Sequence, residues 1–171
     1  HDRFMLPYFV QQDFSDVRIS IKQGGRVLIE HGWTEMGQGI QNMAIQTLHQ
    51  ETGIDPALME VVVDTNAGLP TGMTTSSRAT ALLGNAIIDA CIQIREDLDQ
   101  FTPGCLDIHG KALQHALLQL AGKTYSGKYY CDWTTKPGAS VDKIITHYSY
   151  GYAAQLVVLD EPTDGVDPVG R

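Results

Sequence analysis

Val27-Leu28-Ile29-Glu30-His31-Gly32-Trp33-Thr34-Glu35-Met36-Gly37-Gln38-Gly39-Ile40 is the stretch on which the fold turns. It opens as an apolar strand, Val27 to Ile29, and passes through a loop carrying Gly32, Gly37 and Gly39. It then runs into Ile40, Met43, Ala44, Thr47 and Leu48, which recur at helical spacing until Gly53 supplies a stop. Met59, Val61 and Val63 restore a short strand, so the segment reads as a β-α-β unit, whose crossover is right-handed if its strands are parallel neighbours. Upstream, Val17, Ile19 and Ile21 alternate with Arg18, Ser20 and Lys22, and Gly24-Gly25 turns the chain back: a hairpin signature. The pattern predicts an α/β chain of the mixed α+β kind, with a β-hairpin leading into a β-α-β unit and further helices packed on a mixed sheet.

Downstream, Ala79, Leu82, Leu83, Ala86, Ile87, Ala90, Cys91, Ile94 and Leu98 form one apolar stripe, the clearest helix of the chain, ending before Thr102-Pro103-Gly104. A third helix is expected through Ala112, Leu113, Ala116, Leu117 and Leu120 to Gly122, and strands around Tyr125–Trp133 and Tyr148–Leu159. Residues 1–16 show no consistent period and read as an extended lead-in to a single domain covering 1–171.

Composition narrows the class. A chain of 171 residues and 18.7 kDa can bury a sizeable core, ~70% of its unfolded surface for a domain of this size. Twelve basic against twenty acidic side chains give a net charge of −8, which argues against nucleic acid and anionic membranes as partners, and an anionic ligand would need a local device. No apolar run approaches the ~20 residues of a spanning helix. Cys91, Cys105 and Cys131 stand far apart with no C-x-x-C pair, which disfavours a zinc ribbon or a secreted disulfide framework and suits a cytoplasmic setting. His1 is no initiator Met and the chain stops at Pro168-Val169-Gly170-Arg171, so a piece of a longer polypeptide is expected.

The local device is offered by two loops. Gly32–Gly39 leads directly into a helix, where glycines let backbone approach a ligand and unpaired N–H groups carry positive partial charge. Asp64–Arg78 crowds Thr74, Thr75, Ser76 and Ser77 against Arg78 at the start of the long helix, a set of hydroxyls and a charged fork suited to phosphate oxygens. Both follow strands of the β-α-β unit, so both should open at one sheet edge, where ligands of such sheets sit. Either loop alone is more often a mere turn or N-cap; two at one edge favour a ligand.

Other patterns carry less. Gly37-x-Gly39 lacks the third glycine of a dinucleotide fingerprint, Asn42 standing there, although Asp64 mimics the ribose-binding acid. Gly122-Lys123-Thr124 resembles the end of a P-loop but has Leu117 at the upstream glycine position and ends a helix. The six histidines show no metal-binding spacing, so no metal ligand is assigned. Trp33 and the alternation Tyr148, Tyr150, Tyr152 fit packed sheet faces better than a pocket. Glu35 has no evident His or Lys partner, and no catalytic residue is assigned.

Trp33-Thr34-Glu35-Met36-Gly37-Gln38-Gly39, then a strand ending Asp64-Thr65, Pro70, Ser76-Ser77-Arg78 and Gly84-Asn85-Ala86, resembles the molybdenum-cofactor domain of the xanthine dehydrogenase and aldehyde oxidase family. The resemblance runs from about Gly25 to Leu98 and continues more weakly through Thr146-His147-Tyr148 and Val157–Asp160. It implies a molybdenum hydroxylase acting on a purine such as xanthine, or on an aldehyde, with oxygen drawn from water. It further implies molybdenum on a molybdopterin, with a cytosine dinucleotide form as one alternative, and iron–sulfur clusters and FAD elsewhere in the parent enzyme, among its remaining domains or subunits.

Carried over by residue, Met36, Gly37, Gln38 and Gly39 match the segment that holds the pterin and its phosphate, and Thr75, Ser76, Ser77 and Arg78 match the second cofactor-binding segment. The family's base lies in a Gly-Glu segment with no match here, and Phe9-Val10-Gln11-Gln12-Asp13 stands where a Gly-rich stretch ordinarily precedes the hairpin. The resemblance therefore implies a fragment inactive alone. Trp33-Thr34-Glu35 and Thr75–Arg78 look more like the bacterial selenium-dependent xanthine dehydrogenase group than the animal enzymes. The alternative from another class is a non-catalytic nucleotide-binding or assembly module.

Overall fold

The structure, a computed structural model, describes residues 13–64, 66–75, 77–101, 111–135, 138–143 and 145. Four strands and three helices follow in the order β1 (Phe14–Ile21), β2 (Val27–His31), α1 (Ile40–Thr52), β3 (Met59–Val63), α2 (Arg78–Phe101), α3 (Lys111–Gln119) and β4 (Thr124–Tyr130). The strands form one mixed sheet in the order β3-β2-β1-β4. β1 runs antiparallel to β2 and to β4, whereas β2 and β3 are parallel, with Ile29 opposite Val61. The expected hairpin, β-α-β unit and mixed sheet are all present.

Alternation decides which face of the sheet is covered. Val17, Ile19 and Ile21 of β1 and Val27 and Ile29 of β2 are buried on the face that meets Ile40, Ala44 and Leu48 of α1 and Leu83, Ile87 and Ile94 of α2. A fully buried side chain of this size contributes about 1.5–3 kcal/mol, so this layer dominates the hydrophobic term. Gly53 ends α1 at a φ of 70°, its N–H reaching the His49 carbonyl at 2.7 Å.

The long helix lies across β4 and β1. It comes close at Gly127, where a Cβ would run into the Ala86 carbonyl and stand 2.9 Å from the Ala90 Cβ. The polar residues beside its apolar stripe also bind β4: Gln93 Nε2 donates to the Ser126 carbonyl at 2.9 Å and Asp89 Oδ2 accepts from the Lys128 N–H at 2.9 Å. A strand at the end of the sheet order thereby has backbone groups satisfied by a helix. At the far end Asp97 Oδ2 accepts from Lys123 Nζ at 2.8 Å and Tyr125 Oη at 2.7 Å. The Lys123 and Tyr125 bonds hold the Asp97 carboxyl below its usual range, while burial and then Asp97 push the Tyr125 hydroxyl up.

Two element bounds differ from the periodicity. β1 starts at Phe14, ahead of the alternation at Val17, because Phe14, Ser15 and Asp16 pair with Tyr130, Tyr129 and Lys128 of β4. β4 stops at Tyr130 and not at Trp133, where Cys131 closes the ladder by donating its N–H to the Asp13 carbonyl at 2.7 Å. The expected strand Tyr148–Leu159, the weaker resemblance beyond Thr146 and the lead-in up to residue 12 lie outside the described residues. Among the described residues, no helix is long and apolar enough to cross a membrane.

Candidate functional site

β2 and β3 are parallel, so the loops that follow them leave the same sheet edge, and they touch. A Cβ on Gly32 would stand 2.8 Å from the Leu69 carbonyl oxygen and 3.2 Å from the Thr71 methyl. β1 extends past the end of β2 here, and the second loop fills the vacated place: Ser15 bridges to Thr71 and the Asp16 N–H donates to the Pro70 carbonyl at 3.2 Å. Arg18 Nη2 fixes the loop further back, at the Ala67 carbonyl (3.2 Å).

The first loop rests on buried groups. Trp33 is fully buried and donates its indole N–H to Ser15 Oγ at 2.9 Å, so it belongs to the core and not to a pocket wall. His31, also fully buried, accepts the Trp33 N–H on Nδ1 at 3.1 Å, which places its proton on Nε2. Nε2 is buried with no hydrogen-bond partner among the described residues. Burial pushes the His31 pKa down to about 4, against an opposing pull from Glu35, and the ring is neutral at pH 7.

Above this base the loop closes on itself. Glu35 Oε1 accepts the N–H groups of Gly37 (2.8 Å) and Gly39 (3.0 Å), and Oε2 faces the Gln41 N–H at 3.4 Å. The Gln38 carboxamide bridges the other side, accepting from the Met36 N–H at 2.6 Å and donating to the Thr34 carbonyl at 2.8 Å. Gly37 and Gly39 hold φ of 97° and 78°, the left-handed region that this tight path requires. The bond from Gly39, followed by those from Gly37 and Gln41, holds the Glu35 carboxyl below its usual range.

The second loop ends at α2. Asp64 Oδ1 accepts the Asn66 N–H at 2.8 Å, a local turn in place of a ribose contact. Arg78, the first residue of the helix, pairs with Asp13 at 2.9 Å, and Asp13 also accepts from Thr134 Oγ1 at 3.0 Å. Thr75 and Arg78 line a cavity of about 260 Å³ together with Asn85, Tyr129, Trp133 and Thr134. Met36, Gly37, Gln38 and Gly39 do not line it, and Ser76 lies outside the described residues. Sequence reasoning thus placed both loops at one edge but missed Asp13, Tyr129 and Trp133. It also missed the use of Glu35, for which an acid just ahead of a helix start was the available signal.

A family model described as the molybdopterin cofactor-binding domain matches residues 4–168. The chain belongs to that family. Relatives of this molybdopterin cofactor-binding domain include the gamma subunit of the 6-hydroxypseudooxynicotine dehydrogenase complex of Paenarthrobacter nicotinovorans, 26% identical over 86% of the chain and 21% of the relative. Xanthine dehydrogenase of Emericella nidulans is 27% identical over 88% of the chain and 11% of the relative. Among solved structures, an aldehyde oxidoreductase from Desulfovibrio gigas superimposes with a TM-score of 0.57 at 19% identity, covering 74% of this chain and 14% of that one. The chain spans about a fifth or less of the length of these relatives.

The residues present suit the family's cofactor. A carboxamide carries two donors and two acceptor lone pairs, and Gln38 spends one of each on its loop, so one donor and one acceptor remain on an exposed side chain. A pterin ring carries amide donors and acceptors that each of these can bond. Among the described residues no group of three or more His, Cys, Asp or Glu is placed to hold a metal ion.

Proposed function

We propose that this domain holds the molybdopterin of a molybdenum hydroxylase, with Met36, Gly37, Gln38 and Gly39 on the pterin side and Thr75, Ser76, Ser77 and Arg78 as the second segment. The observation that carries the reading is the meeting of the two loops at Gly32 on one sheet edge, with Gln38 fixed by its own loop and one donor and one acceptor left over. When bound, the cofactor supplies the oxidising centre at which a C–H beside a ring nitrogen or an aldehyde carbonyl is hydroxylated with water-derived oxygen.

This chain's part is to grip and orient. Gln38 offers the unspent donor and acceptor of its carboxamide, Thr75 and Ser77 offer hydroxyls near the start of α2, and Asp13 keeps Arg78 drawn toward the start of β1. Buried Trp33 and His31 give the first loop a rigid floor. The whole protein would be an oxidoreductase acting on a purine such as xanthine or on an aldehyde, the named relatives including a xanthine dehydrogenase and an aldehyde oxidoreductase. Its remaining domains or subunits would carry the iron–sulfur clusters and FAD, and the pterin would be the plain or the cytosine dinucleotide form. A cytoplasmic setting accords with Cys91 and Cys131, both buried as free thiols.

The test is the molybdenum content of the full-length protein, purified after expression with cofactor synthesis intact. Gln38→Ala and Ser77→Ala are expected to lower occupancy while leaving the circular dichroism spectrum unchanged. No molybdenum in the unsubstituted protein, or unchanged occupancy in both variants, would refute the assignment.

A further inference from the structure

Gly39 begins α1 in the left-handed region and has no side chain with which to cap the helix. A helix start leaves unpaired N–H groups and a positive partial charge, the feature that makes such ends attractive to phosphate. Here the place is taken from within: Glu35, four residues ahead of Gly39, turns both carboxylate oxygens toward it. With Gln38 holding the Met36 N–H, the N–H groups of Met36, Gly37, Gly39 and Gln41 are all directed at side chains of the loop itself. What remains exposed is the Met36 side chain and the Gln38 carboxamide, with one donor and one acceptor unspent.

We infer that Glu35 is a positioning residue, an internal anion that closes the start of α1 to phosphate and fixes the Thr34–Gly39 loop so that Gln38 can meet the pterin ring. The inference rests on the proposed function for what the loop binds, and on the hydrogen bonds alone for how the loop is held. It divides the work between the two segments: the first recognises the ring by the unspent donor and acceptor of the Gln38 carboxamide, and the anionic end of the cofactor falls to the second. It also gives Glu35 a role other than base, since both of its oxygens are already engaged by N–H groups.

Hydrogen exchange of peptides spanning residues 34–41 in the full-length protein tests the hold, and molybdenum content tests the consequence. In Glu35→Ala, exchange of this segment should rise about tenfold or more, as expected when bonds to a charged group are lost, and molybdenum occupancy should fall several-fold. Glu35→Gln keeps an acceptor oxygen and should recover much of both. Inorganic phosphate at millimolar concentration should leave exchange in the unsubstituted, cofactor-free protein unchanged. Unchanged exchange in Glu35→Ala, or protection of the unsubstituted segment by inorganic phosphate, overturns the inference. So does faster exchange with full molybdenum occupancy. Absence of molybdenum from the unsubstituted protein overturns the functional reading instead, and the exchange comparison still decides whether Glu35 holds the loop.

Discussion

Asp13 Oδ1 stands 2.9 Å from Arg78 Nη2, tying the residue ahead of β1 to the first residue of α2. A cation at a helix N-terminus is opposed by the macrodipole, and the carboxylate offsets that cost. Both side chains are largely shielded, at 16% and 25% exposure, so the pair should exceed the usual surface value. A double-mutant cycle of Asp13→Ala and Arg78→Ala in urea is expected to give a coupling of about 1 kcal/mol or more. Additive single-site effects would show that the pair contributes nothing to the fold.

Gly127 faces backbone where α2 crosses β4. A methyl group there would meet the Ala86 carbonyl and the Ala90 N–H, neither of which is a side chain that can rotate away. Gly127→Ala is therefore expected to destabilise by about 3 kcal/mol or more, the upper end for overpacking. Denaturant unfolding measures it, and a loss below ~0.5 kcal/mol, the range of ordinary surface substitutions, would contradict the packing described.

His31 makes the domain sensitive to acid. Its folded pKa, about 4, lies below the ordinary 6.5, so the unfolded chain binds the proton more readily than the folded one. Stability is complete above the unfolded value and is lost as pH falls from 6.5 toward 4, by up to roughly 3 kcal/mol across that window. His31→Asn retains an acceptor for the Trp33 N–H and removes the titration. Its stability should depend less on pH over this range, and parallel curves for the two proteins would rule out His31 as the source.

Asp97 adds a second acid-labile contact with the same sign, this one charged in the folded state. Its carboxyl is held below the usual range by Lys123 first and then Tyr125, so its contribution is present above the unfolded carboxylate pKa and disappears as pH falls through the folded value. At neutral pH Asp97→Asn should cost on the order of 1 kcal/mol, since hydrogen bonds to a charged group are weakened at a partly exposed site. The difference from the parent should vanish in strong acid.

The parts of the fold legible in the sequence were those with local causes. Alternation at Val17–Ile21, the Gly24-Gly25 turn, the helical stripe from Ala79 to Leu98 and the stop at Gly53 each act within a few residues, and each appears where expected. The start of β1 at Phe14 was hidden because its cause is pairing with β4, more than a hundred residues away. The cofactor loops were legible as loops. What escaped was the destination of their charges: Arg78 turns to Asp13 and Glu35 to the glycines after it, choices set by tertiary geometry that spacing does not encode.

Gly32 has a consequence for how such chains can vary. A Cβ there would press on the Leu69 carbonyl and Thr71, so the wall between the two loops leaves no room for a side chain. A lineage that lengthened either loop, or placed any side chain at this glycine, would displace the other loop by the same amount. The two segments should therefore drift as a pair across descendants, and a graft that moves one into a foreign scaffold must carry the other with it.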